Sequence, residues 1–342
     1  MSISEVNGPA GTLNGRRAIP QLAHLPAPPF GKTGWPWTEK SPSLPRARPD
    51  GSPWPRISIV TPSYNQGQFI EETIRSVLLQ DYPNSEYIVI DGGSTDESIE
   101  IIKKYAPWLA YWVSEKDRCQ AHAINKGIEH VTGDVFNWIN SDDFLLPGSL
   151  GKIGLLSDPD FVVAAAVLNF SDKGSELIFN RFLTADSMIT GTKATFHQPG
   201  LWLRTRNLQD VGPIEETLDY AFDHHLITKY LSLYPNVRYT NEIVVNFRHH
   251  TLSKTCSQGA HFQQDRRLAF SKILSDPRYE NLHRLCADRL HWEAWADRIM
   301  TIRASRRPAF VTAVQLLIEA ARHPRVRLTR YTLGAVRQSL FS

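Results

Sequence analysis

Cysteine is scarce in this chain: three in 342 residues, Cys119, Cys256 and Cys286, scattered and odd in number. That excludes a disulfide framework and a multi-cysteine zinc site, and it suits a reducing compartment. Long apolar runs are also missing. No stretch of about 18 apolar residues occurs, so no helix is expected to span a bilayer. Residues 1–10 carry neither a basic flank nor an apolar stretch, so no secretory signal is expected and the reading is cytoplasmic. No internal repeat is visible. A strong charge imbalance is lacking too: 38 Lys and Arg face 35 Asp and Glu, a net of +3, with 42% of residues hydrophobic and 21% charged. These proportions describe a soluble globular protein, neither disordered nor membrane-spanning. The length allows one domain of about 250 residues or two of about 150.

The charge that is present is unevenly placed. Thr301 to Ser342 holds eight arginines and one acid, Glu319, a local charge of +7 that leaves the rest of the chain at −4. Prolines are dense at the other end, from Pro20 through Pro36 and Pro45 to Pro55. Such a stretch cannot be helical or central in a sheet, and Trp35, Trp37 and Trp54 suit parts of it to packing on the body.

At Arg56 the texture changes. Ile57–Val60 is a β-branched run followed by turn residues Thr61 to Asn65, and Gln68 to Gln80 has helical periodicity. Tyr87–Ile90 reads as a second strand. Ser94 and Glu97 have capping-box spacing, which predicts a helix from there to about Tyr105. Leu109–Val113, a helix from Gln120 to His130, and the strand Val135–Ile139 follow. This β-α alternation predicts a parallel sheet with helices on its faces. Ligands of such sheets sit beyond the carboxyl ends of the strands, where three polar clusters fall: 61–66, 91–96 and 140–143. A nucleotide-type pocket within residues 56–150 is expected on that ground alone. The dinucleotide fingerprint Gly-x-Gly-x-x-Gly is absent after the first strand, which excludes a Rossmann oxidoreductase. Further on, 160–182 is strand-like, Leu218–Tyr230 helical and Tyr239–Phe247 a last strand. Beyond about Ser257 the chain reads as helical, with an apolar-rich helix at Val311–Ala320.

Asn140-Ser141-Asp142-Asp143 carries the sharpest chemistry. Adjacent carboxylates repel, and a divalent cation among them relieves the repulsion; hard oxygen ligands suit magnesium or manganese, which also bind phosphate. A solvated, helix-capping turn is the bland alternative.

Ile57 to Gln66, Asp91-Gly92-Gly93-Ser94-Thr95-Asp96, Ala123-Ile124-Asn125-Lys126-Gly127 and Asn140 to Asp143 occur in the order and spacing of family 2 glycosyltransferases. The resemblance continues through His197-Gln198-Pro199 and Asp223 to Arg248–Lys254, and so covers about residues 56–255. It implies the α/β GT-A fold, a Rossmann-like and mostly parallel sheet flanked by helices, and an inverting transfer of sugar from a nucleotide-diphospho-sugar with a divalent metal. It implies three parts: a proline-rich extension (1–55), a glycosyltransferase domain (56–255, with a nucleotide-binding half at 56–150 and an acceptor half at 151–255) and a helical basic extension (256–342).

The resemblance also implies roles. Pro62, Ser63, Tyr64, Asp91, Arg118, Asn125, Asp142, Arg248 and Lys254 would bind the donor. Asp143, Asp142 and His250 would hold the metal, with His249 as an alternative register. Where relatives place a second base-binding Asp after the strand, this chain has Gly92. Asp223 matches the general base, with His224 and Asp219 as rivals. His197, Gln198 and Trp202 would line the acceptor region, although Trp202 also reads as core. The acceptor would be a glycan, a lipid-linked molecule or a protein. The basic tail fits a packed helix, an interfacial segment drawn to anionic lipid, or a nucleic-acid binder, the last supported by charge alone and not expected. Asn140 in place of an acid, with His224-His225 beside Asp223, also suits a degenerate domain that binds without turnover.

Overall fold

The computed structural model describes residues 3–4, 12–13, 16–17, 20–250, 259–305, 308–322 and 329–341. The chain divides into two compact units, 1–269 and 270–342.

In the first unit the alternation takes the expected form. β1 (Ile57–Ser63), α1 (Gly67–Leu78), β2 (Ser85–Asp91), α2 (Ser98–Tyr105), β3 (Tyr111–Ser114), α3 (Gln120–Ile128) and β4 (Val135–Trp138) follow in sequence. These strands lie parallel in the order β3-β2-β1-β4. They are rich in apolar residues and almost wholly buried, as expected where helices cover both faces of a parallel sheet. Pro62 sits inside β1, which a central strand would not tolerate. β4 pairs with β1 only from Ile57 to Val60, so the side on which Pro62 lacks its N–H has no partner strand to satisfy. At Gly127 of α3 a Cβ would lie 2.4 Å from a Val60 methyl, so glycine lets this helix rest directly on β1.

The remainder of the sheet is mixed. β5 (Phe144–Leu145) and α4 (Ser149–Leu156) precede a hairpin of β6 (Val162–Ser171) and β7 (Gly174–Phe179). α5 (Ala185–Thr190), β8 (Leu201–Arg204), α6 (Thr205–Val211), α7 (Phe222–Leu233) and β9 (Val237–Arg248) complete it. The order continues as β4-β8-β6-β9-β5, with β8 antiparallel to both neighbours and β9 parallel to β6. The sheet is therefore a parallel half joined to a mixed half, Rossmann-like and flanked by helices.

The capping box expected at Ser94 does not form. The Ser94 hydroxyl donates to Asp91 (2.5 Å) instead, and α2 starts at Ser98, whose N–H is received by Asp96 (3.0 Å).

Residues 20–55 wrap the body in irregular structure. A proline-rich segment offers carbonyls with few N–H groups to match them, and fully buried Arg75 of α1 supplies the donors. Its guanidinium reaches the carbonyls of Pro36 (3.0 Å), Pro26 (2.8 Å) and Trp37 (2.8 Å), and the Tyr105 hydroxyl (3.0 Å). Trp35 donates to the Leu145 carbonyl (2.8 Å), while Trp37 and Trp54 are buried.

Beyond β9, α8 (Gly259–Ser275) leads out of the first unit. α9 (Glu280–Ala304), α10 (Ala309–Arg322) and α11 (Arg330–Phe341) build the second around Trp295, Ile299, Leu316 and Val336. Among the described residues no helix is long and apolar enough to cross a membrane.

Candidate active site

The strand order reverses between β1 and β4, and the crevice beyond the carboxyl ends of these strands is where such sheets take their ligands. Asn140 to Asp143 emerges from β4 at this point. Arg248, ending β9, locks the loop in place. Its N–H donates to Asp143 Oδ1 (2.9 Å) and its Nε to the Asp142 carbonyl (3.0 Å). The guanidinium pairs with Glu72 of α1 at 2.7 Å and lies over the rings of Phe69 and Phe170, each at 4.8 Å. It is thus engaged within the protein, and the expectation that it binds the donor gives way to one of positioning the acidic loop. Glu72 and Phe69 were not foreseen as site residues, since α1 reads from its periodicity as packing alone.

The two carboxylates differ sharply. Asp143 is fully buried, with one oxygen on the Arg248 N–H and the other 3.4 Å from the Asn140 amide. Burial and the neighbouring Asp142 charge hold its pKa well above the ordinary carboxylate value. A metal ligand needs an open oxygen, so Asp143 does not fit that assignment. Asp142 is partly exposed, and its Oδ2 meets His250 Nε2 at 2.9 Å. His250 packs on Phe69 (5.0 Å between rings), whereas His249 turns toward Phe247 (5.1 Å). The histidine facing the acidic loop is therefore His250. Among the described residues no three metal-ligating side chains converge. One carboxylate and one imidazole suit a cation whose other positions are filled by phosphate oxygens and water, the habit of magnesium and manganese.

Asp223 opens α7, and Phe222 before it packs on Trp138 of β4 (6.3 Å), which sets the helix start against that strand. Its carboxylate is half-buried, receives the His224 N–H (2.6 Å), and has its pKa pushed up to about 6 by burial. His224 is buried with Nε2 against the Met188 carbonyl (2.9 Å), and Asp219 is exposed. Asp223 thus combines partial burial with a raised pKa, which suits a base.

Several expected binders are used internally. Asp91 is fully buried and receives the Gly93 and Ser94 N–H groups (3.1 and 2.9 Å) and the Ser94 and Ser114 hydroxyls (2.5 and 2.7 Å). Four donors leave it nothing for ribose or base. Asn125 exchanges hydrogen bonds with the Ile214 backbone (2.9 Å each way) and reaches Glu216 (3.1 Å), so it pins the 214–216 segment. Arg118 is largely exposed and pairs with Glu216 at 2.6 Å. Gln198 is buried, donating to Asn137 (2.9 Å) and the Trp138 carbonyl (3.1 Å), which fastens its turn to β4. Trp202 is wholly in the core and cannot stack on a sugar. His197 is bonded to Asn169 (2.7 Å), and burial, with His249 nearby, lowers its pKa to about 4. Pro62 and Ser63 are buried at the end of β1, while the Tyr64 ring is 61% exposed above them. Lys254 lies outside the described residues.

Residues 58–208 match the model of glycosyl transferase family 2. These residues are a family 2 glycosyltransferase domain. An uncharacterized glycosyltransferase of Rickettsia typhi is 27% identical over 212 residues, 59% of this chain and 66% of the relative. The chain spans only 35% of a second such relative, from Rickettsia felis. The family 2 domain has the GT-A fold. Mannosyltransferase PcManGT of Pyrobaculum calidifontis, solved with GDP-Man and Mn2+, superposes at a TM-score of 0.53 with 20% identity, over 84% of this chain and 87% of that one. S. aureus TarS with UDP-GlcNAc gives 0.53 and 18%, over 69% and 70%.

Proposed function

We propose that the chain is an inverting glycosyltransferase that moves a sugar from a nucleotide-diphospho-sugar to an acceptor hydroxyl, using a divalent metal, manganese or magnesium. The observation that carries this reading is the pairing of the Asp142–His250 contact, 2.9 Å, at the sheet's switch point with the raised carboxylate of Asp223 at the start of α7. Structures of the same fold solved with UDP-GlcNAc, or with GDP-Man and Mn2+, support it. Asp142 and His250 would hold the cation, which supplies positive charge to the leaving diphosphate. Asp143 and Arg248 fix the loop that presents Asp142.

Inversion by direct displacement requires the attacking hydroxyl on the face opposite the leaving group. Asp223, basic only once it has lost its proton, would accept the hydroxyl proton as the bond to the anomeric carbon forms, a contribution of about 10²–10⁴-fold. Asp223→Asn should bind nucleoside diphosphate with manganese normally and lose transfer by at least about 10²-fold. Unchanged turnover would remove Asp223 from the role. A donor-hydrolysis assay separates this reading from a domain that binds nucleotide-sugar without turnover. The retained Asp142 and Asp223 favour the enzyme.

A peripheral membrane contact belongs to the same proposal, with a lipid-linked acceptor as its natural partner. α10 exposes Phe310, Val311, Val314, Leu317 and Ile318, spaced on one helical face, within a segment of charge +7. An exposed apolar face in an arginine-rich segment suits an anionic lipid surface. Co-sedimentation with anionic vesicles that falls with salt, and is absent with neutral ones, is the expected result.

A further inference from the structure

We propose that Asp117 reads the base of the donor nucleotide, standing in for the acid that Gly92 replaces. The inference rests on the nucleotide-sugar reading above. A Cβ built on Gly92 would lie 3.3 Å from Asp117 Oδ2, 3.4 Å from the Tyr64 ring and 3.5 Å from the Ser63 carbonyl. The gap left by the missing side chain is therefore bounded by an aromatic ring on one side and a carboxylate on the other.

That carboxylate is half used. Oδ1 receives Lys126 Nζ at 2.6 Å and contacts His122 Nδ1 at 3.0 Å, which anchors Asp117. Oδ2 is buried, in a side chain only 9% exposed, and has no hydrogen-bond partner. An ionised carboxylate oxygen can only accept, so a buried and unpaired one is matched to an N–H brought by a ligand. The Ser63 hydroxyl, at the end of β1, is also buried without a partner, and it can donate to a keto oxygen. Tyr64, 61% exposed, offers the face on which a base stacks.

Uracil N3–H and guanine N1–H each place a ring donor beside a keto oxygen on the pairing edge. Cytosine N3 and adenine N1 put a lone pair at the same place, facing the lone pair of Oδ2. The site thus selects uridine or guanosine diphosphate over the cytidine and adenosine forms. Lys126 and His122 hold Oδ1, so in Asp117→Asn the amide oxygen takes that side and the NH₂ replaces Oδ2, turning an acceptor into a donor.

Calorimetric titration of the full chain with UDP, GDP, CDP and ADP, each with manganese, tests this. The expected result is that UDP or GDP binds at least tenfold more tightly than CDP and ADP, and that Asp117→Asn loses at least tenfold for the preferred nucleotide while narrowing its margin over CDP. Should Asp117→Asn melt early, Gly92→Ala decides. A methyl in the gap should weaken the preferred nucleotide at least tenfold with Asp117 intact. A wild-type preference for CDP or ADP, or unaltered binding in a folded Asp117→Asn or in Gly92→Ala, would overturn the inference while leaving the glycosyltransferase reading in place. Failure of wild type to bind any of the four would overturn both.

Discussion

As the proposed base, Asp223 would serve chemistry at the expense of stability. With its pKa pushed up to about 6 by burial, it binds a proton more readily in the folded state than in the unfolded chain, where the ordinary value is 3.8. Its effect on stability therefore falls as pH rises between these values, and above about 6 the molecule carries a half-buried charge. Transfer through the proposed base would, in contrast, need the ionised form. The acid limb of the kcat/KM profile should bend near pH 6 and vanish in Asp223→Asn. The same substitution should raise unfolding stability at pH 7–8 by on the order of 1 kcal/mol, discounted for partial exposure. A urea melt and a pH series check both, and a variant that loses both activity and stability would count against the base.

The acidic pair gives a second residue-scale prediction. Asp142→Ala should weaken manganese-dependent nucleotide binding by at least tenfold and leave the melting temperature nearly unchanged. Asp143→Ala should do the reverse first, because it removes the acceptor of the partly buried Arg248 N–H, a loss of about 1–3 kcal/mol. The sequence shows two adjacent acids and no means of telling them apart. The difference comes from a backbone N–H contributed 105 residues later.

Among the elements, strands and helices of the parallel half were legible because apolar runs and helical periodicity are local signals. The mixed half was less so. β8 slots between β4 and β6 by antiparallel pairing, and nothing in Leu201–Arg204 announces which strands it will join. The motif Ala123–Gly127 was legible as a motif and opaque as to purpose. Once folded, Gly127 admits β1, Asn125 pins residues 214–216 and Lys126 anchors Asp117, so three of its five residues are structural. α10 carries its own prediction. Leu317→Glu, placing a charge on the exposed apolar face, should abolish association with anionic vesicles and leave nucleotide binding intact. Retained vesicle binding would argue for a face that packs elsewhere.

At the scale of the molecule, the described donor-side, metal and base candidates all lie in the first unit, at or before residue 250. A chain ending at Ser275, after α8, should keep nucleotide binding and lose vesicle association. Loss of both would mean that the second unit is needed for the first to fold. The site was readable as a set of neighbouring motifs because their positions at strand ends follow from the alternation. Which members face a ligand was not readable, since Asp91, Asn125 and Arg248 are each occupied by partners that only the fold brings near. Glu72, which fixes Arg248, is 176 residues away.

The guanidinium of Arg75 has a practical consequence. The family match begins at residue 58, yet the carbonyls that Arg75 satisfies belong to Pro26, Pro36 and Trp37. A recombinant chain begun at Arg56 would keep every motif by which the family is identified and strip the Arg75 guanidinium of its three carbonyl partners, leaving the Tyr105 hydroxyl. It should emerge aggregated, whereas one begun near Pro20 should stay in solution. Arg75→Met in the intact protein should reproduce part of that defect, at about 3 kcal/mol or more in a urea melt. The smallest piece recognisable by homology is then smaller than the smallest piece that can be purified.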